Sequence, residues 1–267
     1  MKKLNFCLIA IVAIATLSIN GCKKEPKTPL ENSTPVEKVF LPVKMSTDTD
    51  NEILKFKYLD NTGMIKEIEG TYTLNGNTEN NRIVISYNAT NQPVKLEGFS
   101  NGELEKRTVY TLNTAGDVIR GDHTWMYNGQ MIDDGNTELS YNASRQLTSV
   151  KYITITGNTY EEKFEYNVAG NIAKYIFVNQ TFNLEYDFNN GAFKGVKNFH
   201  LIYIDEGGLE FFLTQNNLIK LVNPADASNN ESYTYEYNTD KYPVKINASY
   251  GSSTRPSEII TFEYSVK

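Results

Sequence analysis

Residues 141–150 read YNASRQLTSV and residues 166–172 read YNVAGNI. Each stretch opens on Tyr, continues with Asn, and regains an apolar residue six positions after the Tyr, at Leu147 and Ile172. Asn opens turns because its side chain accepts hydrogen bonds from backbone N–H groups just downstream. Gly170 occupies a turn position suited to positive φ, and Arg145 stands at the same place in the other stretch, where a side chain is strained. Two residues before each Tyr sits an apolar residue, Leu139 or Phe164, and between them a polar one, Ser140 or Glu165. Alternation with period two marks a strand with one buried face. Each stretch is therefore a β-hairpin.

The same pattern runs outward through the chain. Its anchors are Tyr58, Tyr87, Leu112, Tyr141, Tyr166, Tyr186, Leu213, Tyr237 and Tyr264, spaced 20 to 29 residues apart. The residues two before them (Phe56, Ile85, Tyr110, Leu139, Phe164, Leu184, Phe211, Tyr235, Phe262) are all apolar or aromatic. Strands resume at Pro93, Val118, Leu147, Ile172, Ile219 and Pro243, and one residue later in two copies, at Ile65 and Phe193. Consecutive hairpins of this kind make a meander. The expectation is an all-β fold: one long antiparallel meander of about 16 or 17 strands over residues 39–267. The segment Val39–Met45 is expected to add a strand at the edge. Sheets beyond about ten strands curl or fold back, so the sheet should be curled or partly rolled, with the anchors inside.

These stretches resemble the YD repeats of RHS-type bacterial surface and toxin proteins, whose usual form is Tyr-Asp, two residues, Gly-Arg-Leu and a strand. The likeness covers residues 54–267. The resemblance implies a sheet that wraps into a shell, and it extends to lipoproteins with YD-like β repeats from gut Bacteroidota.

The N-terminus reads as an address. Lys2 and Lys3 precede an apolar run from Leu4 to Leu17, too short to span a bilayer and suited to a signal peptide. Ile19-Asn20-Gly21-Cys22 follows. It resembles the bacterial lipobox, which implies cleavage before Cys22 and acylation of that residue. Residues 1–21 are then signal peptide. Residues 22–38, with Pro26, Pro29 and Pro35, have the composition of an extended tether. Lys23-Lys24-Glu25 resembles the signals that send Bacteroidota lipoproteins to the cell surface. The expected location is the outer membrane, with the domain on its periplasmic or surface face. The mature chain would lack a free thiol, since Cys7 is removed and Cys22 is acylated.

Composition narrows the function. The chain holds 26 basic and 32 acidic side chains, net −6, without the concentrated positive charge a nucleic-acid binder needs. His123 and His200 stand in no ligand spacing and read as one exposed turn His and one strand His. No cofactor is called for. The 18 Tyr and 13 Phe belong mostly to the repeat, which assigns them to a core.

Four segments stand outside the repeat. TDTDNE (47–52) is an acidic lead-in to the first strand. Asp133 and Asp134 lie in a long hairpin connection and, with Glu138, form the carboxylate set of a hydrolase reading. GTYTLNGNTENN (70–81) and NPADASNNES (223–232) read as recognition loops. The aromatic cluster at Trp125 and Tyr127 reads either as a ligand platform or as packing over an open end of the sheet. The leading reading is a non-enzymatic, membrane-anchored binding or scaffold domain whose partner is an envelope protein or polysaccharide. The alternative is a glycan-binding lipoprotein of a polysaccharide-uptake system.

Overall fold

A computed structural model describes residues 38–267 apart from 50, 60–61, 75, 204–212 and 252–255. The signal peptide, Cys22 and the tether up to residue 37 lie outside the described residues. Among the described residues sixteen strands follow one another: β1 (Phe40–Thr47), β2 (Ile53–Tyr58), β3 (Ile65–Leu74), β4 (Asn77–Tyr87), β5 (Pro93–Ser100), β6 (Glu103–Leu112), β7 (Val118–Tyr127), β8 (Gln130–Tyr141), β9 (Leu147–Ile153), β10 (Thr159–Tyr166), β11 (Ile172–Phe177), β12 (Gln180–Tyr186), β13 (Leu218–Val222), β14 (Glu231–Tyr237), β15 (Pro243–Tyr250) and β16 (Glu258–Val266). Each pairs antiparallel with its neighbours, and β1 pairs with both β2 and β16.

The sheet is therefore a closed barrel, not the curled or partly rolled shell expected. Two features close it. β1 is not an edge strand: Lys44–Ser46 face Ile53–Lys55 on one side, and Phe40–Thr47 face Ile260–Val266 on the other. Closure also needs bending, and the repeat supplies it. In seven strand pairs the register shifts at the anchor residue, as between Ser140 and Tyr141. A bulge bends its strand and raises the local twist. Seven of them at one end of the sheet curve it in one direction.

The turns form as the sequence dictates. Asn88 Oδ1 accepts from the backbone N–H of Thr90 and Gln92 at 3.0 and 2.9 Å, and Asn113, Asn142, Asn167 and Asn238 repeat the arrangement. Arg145 and Lys241 adopt φ of 61° and 67°. Four anchor tyrosines pack their rings against the core and donate their hydroxyls to the first carbonyl of the preceding strand: Tyr87 to Ile65 (2.6 Å), Tyr141 to Val118 (2.9 Å), Tyr166 to Leu147 (2.9 Å) and Tyr264 to Pro243 (2.8 Å), while Tyr237 donates to Asp187. Tyr58 reaches Pro42 in the same way. Burial raises the phenol pKa of Tyr58, Tyr141, Tyr166 and Tyr264 well above the ordinary value.

One expected hairpin is absent. Phe193 does not resume a strand, Leu213 lies in a bend, and β12 pairs instead with a strand beginning at Leu218. Residues 193–203 of the connection between them enter the barrel as a plug. Phe193 and Phe199 stack at 4.3 Å between ring centroids, and both meet Phe56 of β2 edge-on at 5.7 and 5.9 Å. A short helix, α1 (His200–Tyr203), follows, and Leu201 and Ile202 on it are buried. The plug is clipped at the rim. Lys197 N–H donates to Gly63 at 2.8 Å, and Asp187 accepts from the Asn217 backbone and amide at 3.1 to 3.3 Å.

Three further expectations are corrected. GTYTLNGNTENN is not a loop but the ends of β3 and β4 around a tight turn. Asp133 and Asp134 lie within β8, whose connection to β7 is only Asn128-Gly129. His200 opens α1, so neither described His is in an exposed turn.

Candidate functional site

The inward residues form layers. Moving from the anchors along each strand, the first layer is the tyrosines and the second the apolar residues two positions earlier. Six positions before the anchors, about 20 Å away at 3.3 Å per residue, the layer is Glu52, Asn81, Lys106, Gly135, Tyr160, Gln180, Glu231 and Glu258. One end of the barrel is thus apolar and plugged, and the other is a polar and aromatic mouth.

A cleft of about 310 Å³ opens in this mouth among β6, β7, β8, β9 and β10. His123 lies in it, held between Thr108 Oγ1 (2.8 Å from Nδ1) and Thr137 Oγ1 (2.7 Å from Nε2). Both threonines are buried, so the imidazole is fixed in orientation. Tyr152 stacks on Tyr160 at 4.4 Å between centroids, and Phe177 meets Tyr160 edge-on at 6.2 Å. Tyr175 and Phe182 extend this wall, 5.6 Å apart. Trp125 lines the cleft from β7 and is 43 % exposed, as is Tyr160. Lys106, Asp134 and Asn136 add polar groups. Large aromatic faces beside a few polar groups are the ordinary make-up of a small-molecule site.

Carboxylates mark the rest of the mouth. Tyr250 donates to Glu258 at 2.9 Å, Tyr152 to Glu162 at 3.5 Å, and Tyr72 and Tyr233 are bonded to Glu79 and Glu231. Glu162 is the buried acid among the described residues.

The structure sorts the residues singled out from sequence. Trp125 is at the cleft, while Tyr127 stands further out on the same strand, 61 % exposed. The carboxylate set of the hydrolase reading is dispersed. Asp133 caps the Gly135 N–H at 2.9 Å, Asp134 lines the cleft, and Glu138 faces outward beside Arg120 and Lys151. Asp48 accepts from the Ile259 N–H at 2.7 Å. Tyr152, Tyr160 and Glu162 escaped the sequence reading, and His123, read there as standing in no ligand spacing, joins them at the cleft. A signal for two of them was present, since Tyr160 and Glu162 continue the inward parity of Tyr166.

The outer wall has the opposite character. Lys57 bonds Glu67 and Glu69 at 2.6 and 2.7 Å, and its hydrogen bond holds the Glu69 carboxyl below the usual range. Glu97 meets Lys95 and Arg107, each at 2.8 Å. Lys174–Glu165, Lys245–Glu236 and Lys44–Glu263 continue the ladder at 2.7 to 2.9 Å. A lipid-embedded barrel presents an apolar band about 25 Å tall outside and polar groups inside. This barrel carries rows of ion pairs on its outer wall and an apolar core at its plugged end.

No protein-family model matches the chain, and no curated protein matches it. Among solved structures it resembles a porin-like protein from Bacteroides uniformis, with a TM-score of 0.58 at 11 % identity, over 85 % of this chain and 98 % of that one. A porin-like protein from Bacteroides vulgatus is aligned over 84 % of this chain and 99 % of its own, at a TM-score of 0.37 and 12 % identity. The first likeness is one of fold.

Proposed function

We propose that the chain is a non-enzymatic binding protein of the cell envelope, anchored through acylated Cys22, which takes a ligand into the open mouth of its barrel. The observation that carries this reading is the asymmetry of the interior. One end is filled by Phe193, Phe199 and their neighbours, and the other holds an aromatic-walled cleft. The charged outer wall supports a barrel that stands in water rather than a pore, since each Arg or Lys at a bilayer midplane costs about 2–4 kcal/mol. The lipobox resemblance and the Bacteroides fold likeness support an outer-membrane address, on its periplasmic or surface face.

A polysaccharide is the favoured ligand over an envelope protein. The exposed faces of Trp125 and Tyr160 beside Lys106, Asp134 and Asn136 suit a sugar ring, with an apolar face and a rim of hydroxyls. Trp125 is the only Trp, so its emission reports the cleft directly. Titration of the residue 38–267 barrel with a panel of envelope and dietary polysaccharides should give a saturable emission change for at least one of them. Tyr160→Ala should weaken that binding about tenfold, equivalent to about 1.4 kcal/mol, at unchanged melting temperature. Silence across the panel, or full binding by Tyr160→Ala, would refute the reading.

A further inference from the structure

At the plugged end, two apolar side chains stand clear of the barrel. Phe188, in the connection after β12, is 100 % exposed, and Val168, at the tip of the β10–β11 turn, is 110 % exposed. Their loops are tied together. Asn171 in the Val168 turn donates its amide to Asn216 Oδ1 at 2.9 Å, and Asn216 donates its own to the carbonyl of Asn189, next to Phe188, at 2.7 Å. The Phe188 loop is bonded in turn to the β14–β15 turn, through Asn190 N–H to the Lys241 carbonyl at 3.0 Å. That turn meets the start of the described chain, where Lys38 lies 3.6 Å from Asp240. The two apolar tips therefore sit on the rim where the chain arrives from Cys22.

The charge of this rim differs from that of the whole. The chain is net −6, yet Lys38, Arg145, Lys194 and Lys241 are exposed here. Asp117 pairs with Arg145 and Asp240 with Lys38, so two of these cations are balanced, while Asp187 is bonded by the neutral amide of Asn217; the four cations still exceed the three acids named beside them. Apolar tips on a rim that is locally net positive in an acidic chain match the boundary of an anionic bilayer, with the ring entering the acyl region and the Lys194 and Lys241 ammonium groups meeting phosphates.

We propose that this rim is a membrane-docking surface: Phe188 and Val168 enter the anionic lipid leaflet to which Cys22 is anchored, and the ligand mouth points away from it. The proposal rests on the anchored reading above.

The test uses the chain from residue 22 onward, which holds every described residue of the closed barrel. A His tag at its start secures it to phosphatidylethanolamine–phosphatidylglycerol vesicles containing nickel-chelating lipid and brominated acyl chains. In a Trp125→Phe, Phe188→Trp variant, the indole at position 188 should be blue-shifted and quenched about twofold or more by the brominated lipid. The unsubstituted chain, carrying Trp125 at the opposite end, should be unaffected. Substitution at a fully exposed site leaves the packing intact, and an unchanged melting temperature confirms it. Equal, solvent-like emission at both positions would overturn the proposal. Acylation is scored separately, by the mass of the protein recovered from cells. Its failure removes the anchored reading, whereas failure of quenching with intact acylation removes only the docking surface.

Discussion

Phe199→Ala should lower the free energy of unfolding by about 4 kcal/mol, against about 3–5 kcal/mol for burial-site Phe→Ala changes in general. Phe199 is 2 % exposed and packs on Phe193 and Phe56. Both neighbours are held by others: Phe56 by its strand ladder, and Phe193 by Phe262 at 5.9 Å. Neither can relax into the space left behind, so the cost includes a cavity as well as lost transfer energy. Domains of this kind are stable by only about 5–15 kcal/mol, so the loss is a large share of the total. Urea denaturation measures it. Phe188→Ala is the control, because that side chain is fully exposed, and it should change the free energy of unfolding by less than about 0.5 kcal/mol. Similar effects at the two positions would mean that the connection between β12 and β13 does not fill the barrel.

Acid should weaken the same element through His200. Burial on the plug depresses its imidazole from 6.5 to about 4, against a smaller opposing pull from Asp117. Between those values the unfolded chain binds a proton that the folded chain does not. Stability therefore falls as pH drops from about 6.5 to about 4, and the His200 contribution levels off below that. A shift of this size corresponds to about 3 kcal/mol at 1.36 kcal/mol per pH unit. The ring keeps some contact with solvent, so about 2 kcal/mol is the expected loss. Urea midpoints at pH 7, 5.5 and 4.5 should fall in the native chain and stay nearer level in His200→Gln. The depressed carboxylates, Glu69, Glu97 and Asp117, contribute at lower pH, below their ordinary values, in both chains. Parallel slopes for the two chains would contradict the burial of His200.

Much of the architecture was written in the sequence, because the repeat encodes geometry locally. Period-two alternation sets the strand faces, Asn at the turn supplies the hydrogen bonds, and a Tyr placed six residues before the next apolar position locates each hairpin end. Closure was not read, although its cause was present. Tyr141 pairs with Leu147 while Ser140 pairs with Ser149, so a six-residue step from anchor to resumption forces a bulge. The plug was misread because Phe193 and Leu213 carry apolar residues at nearly the repeat phase. A core accepts apolar side chains from a connection as readily as from a strand, and only tertiary packing separates the two. The mouth was partly legible. Continuing the inward parity from Tyr166 reaches Glu162 and Tyr160, but the partners that join them in the cleft come from the neighbouring strands β6 to β9, and their register, with its shift between His123 and Thr124, decides which side chains meet.

A barrel that binds ligand in its mouth while tethered to the membrane must be wet on its outer wall. Single cysteines at Arg120, Glu165 and Lys245, spread around that wall, test it in the anchored protein on its native membranes. The account predicts that a membrane-impermeant maleimide labels all three, once its face of the membrane is accessible, at the same rate before and after detergent is added. Protection at all three positions, released only by detergent, would show the wall buried in lipid and contradict it.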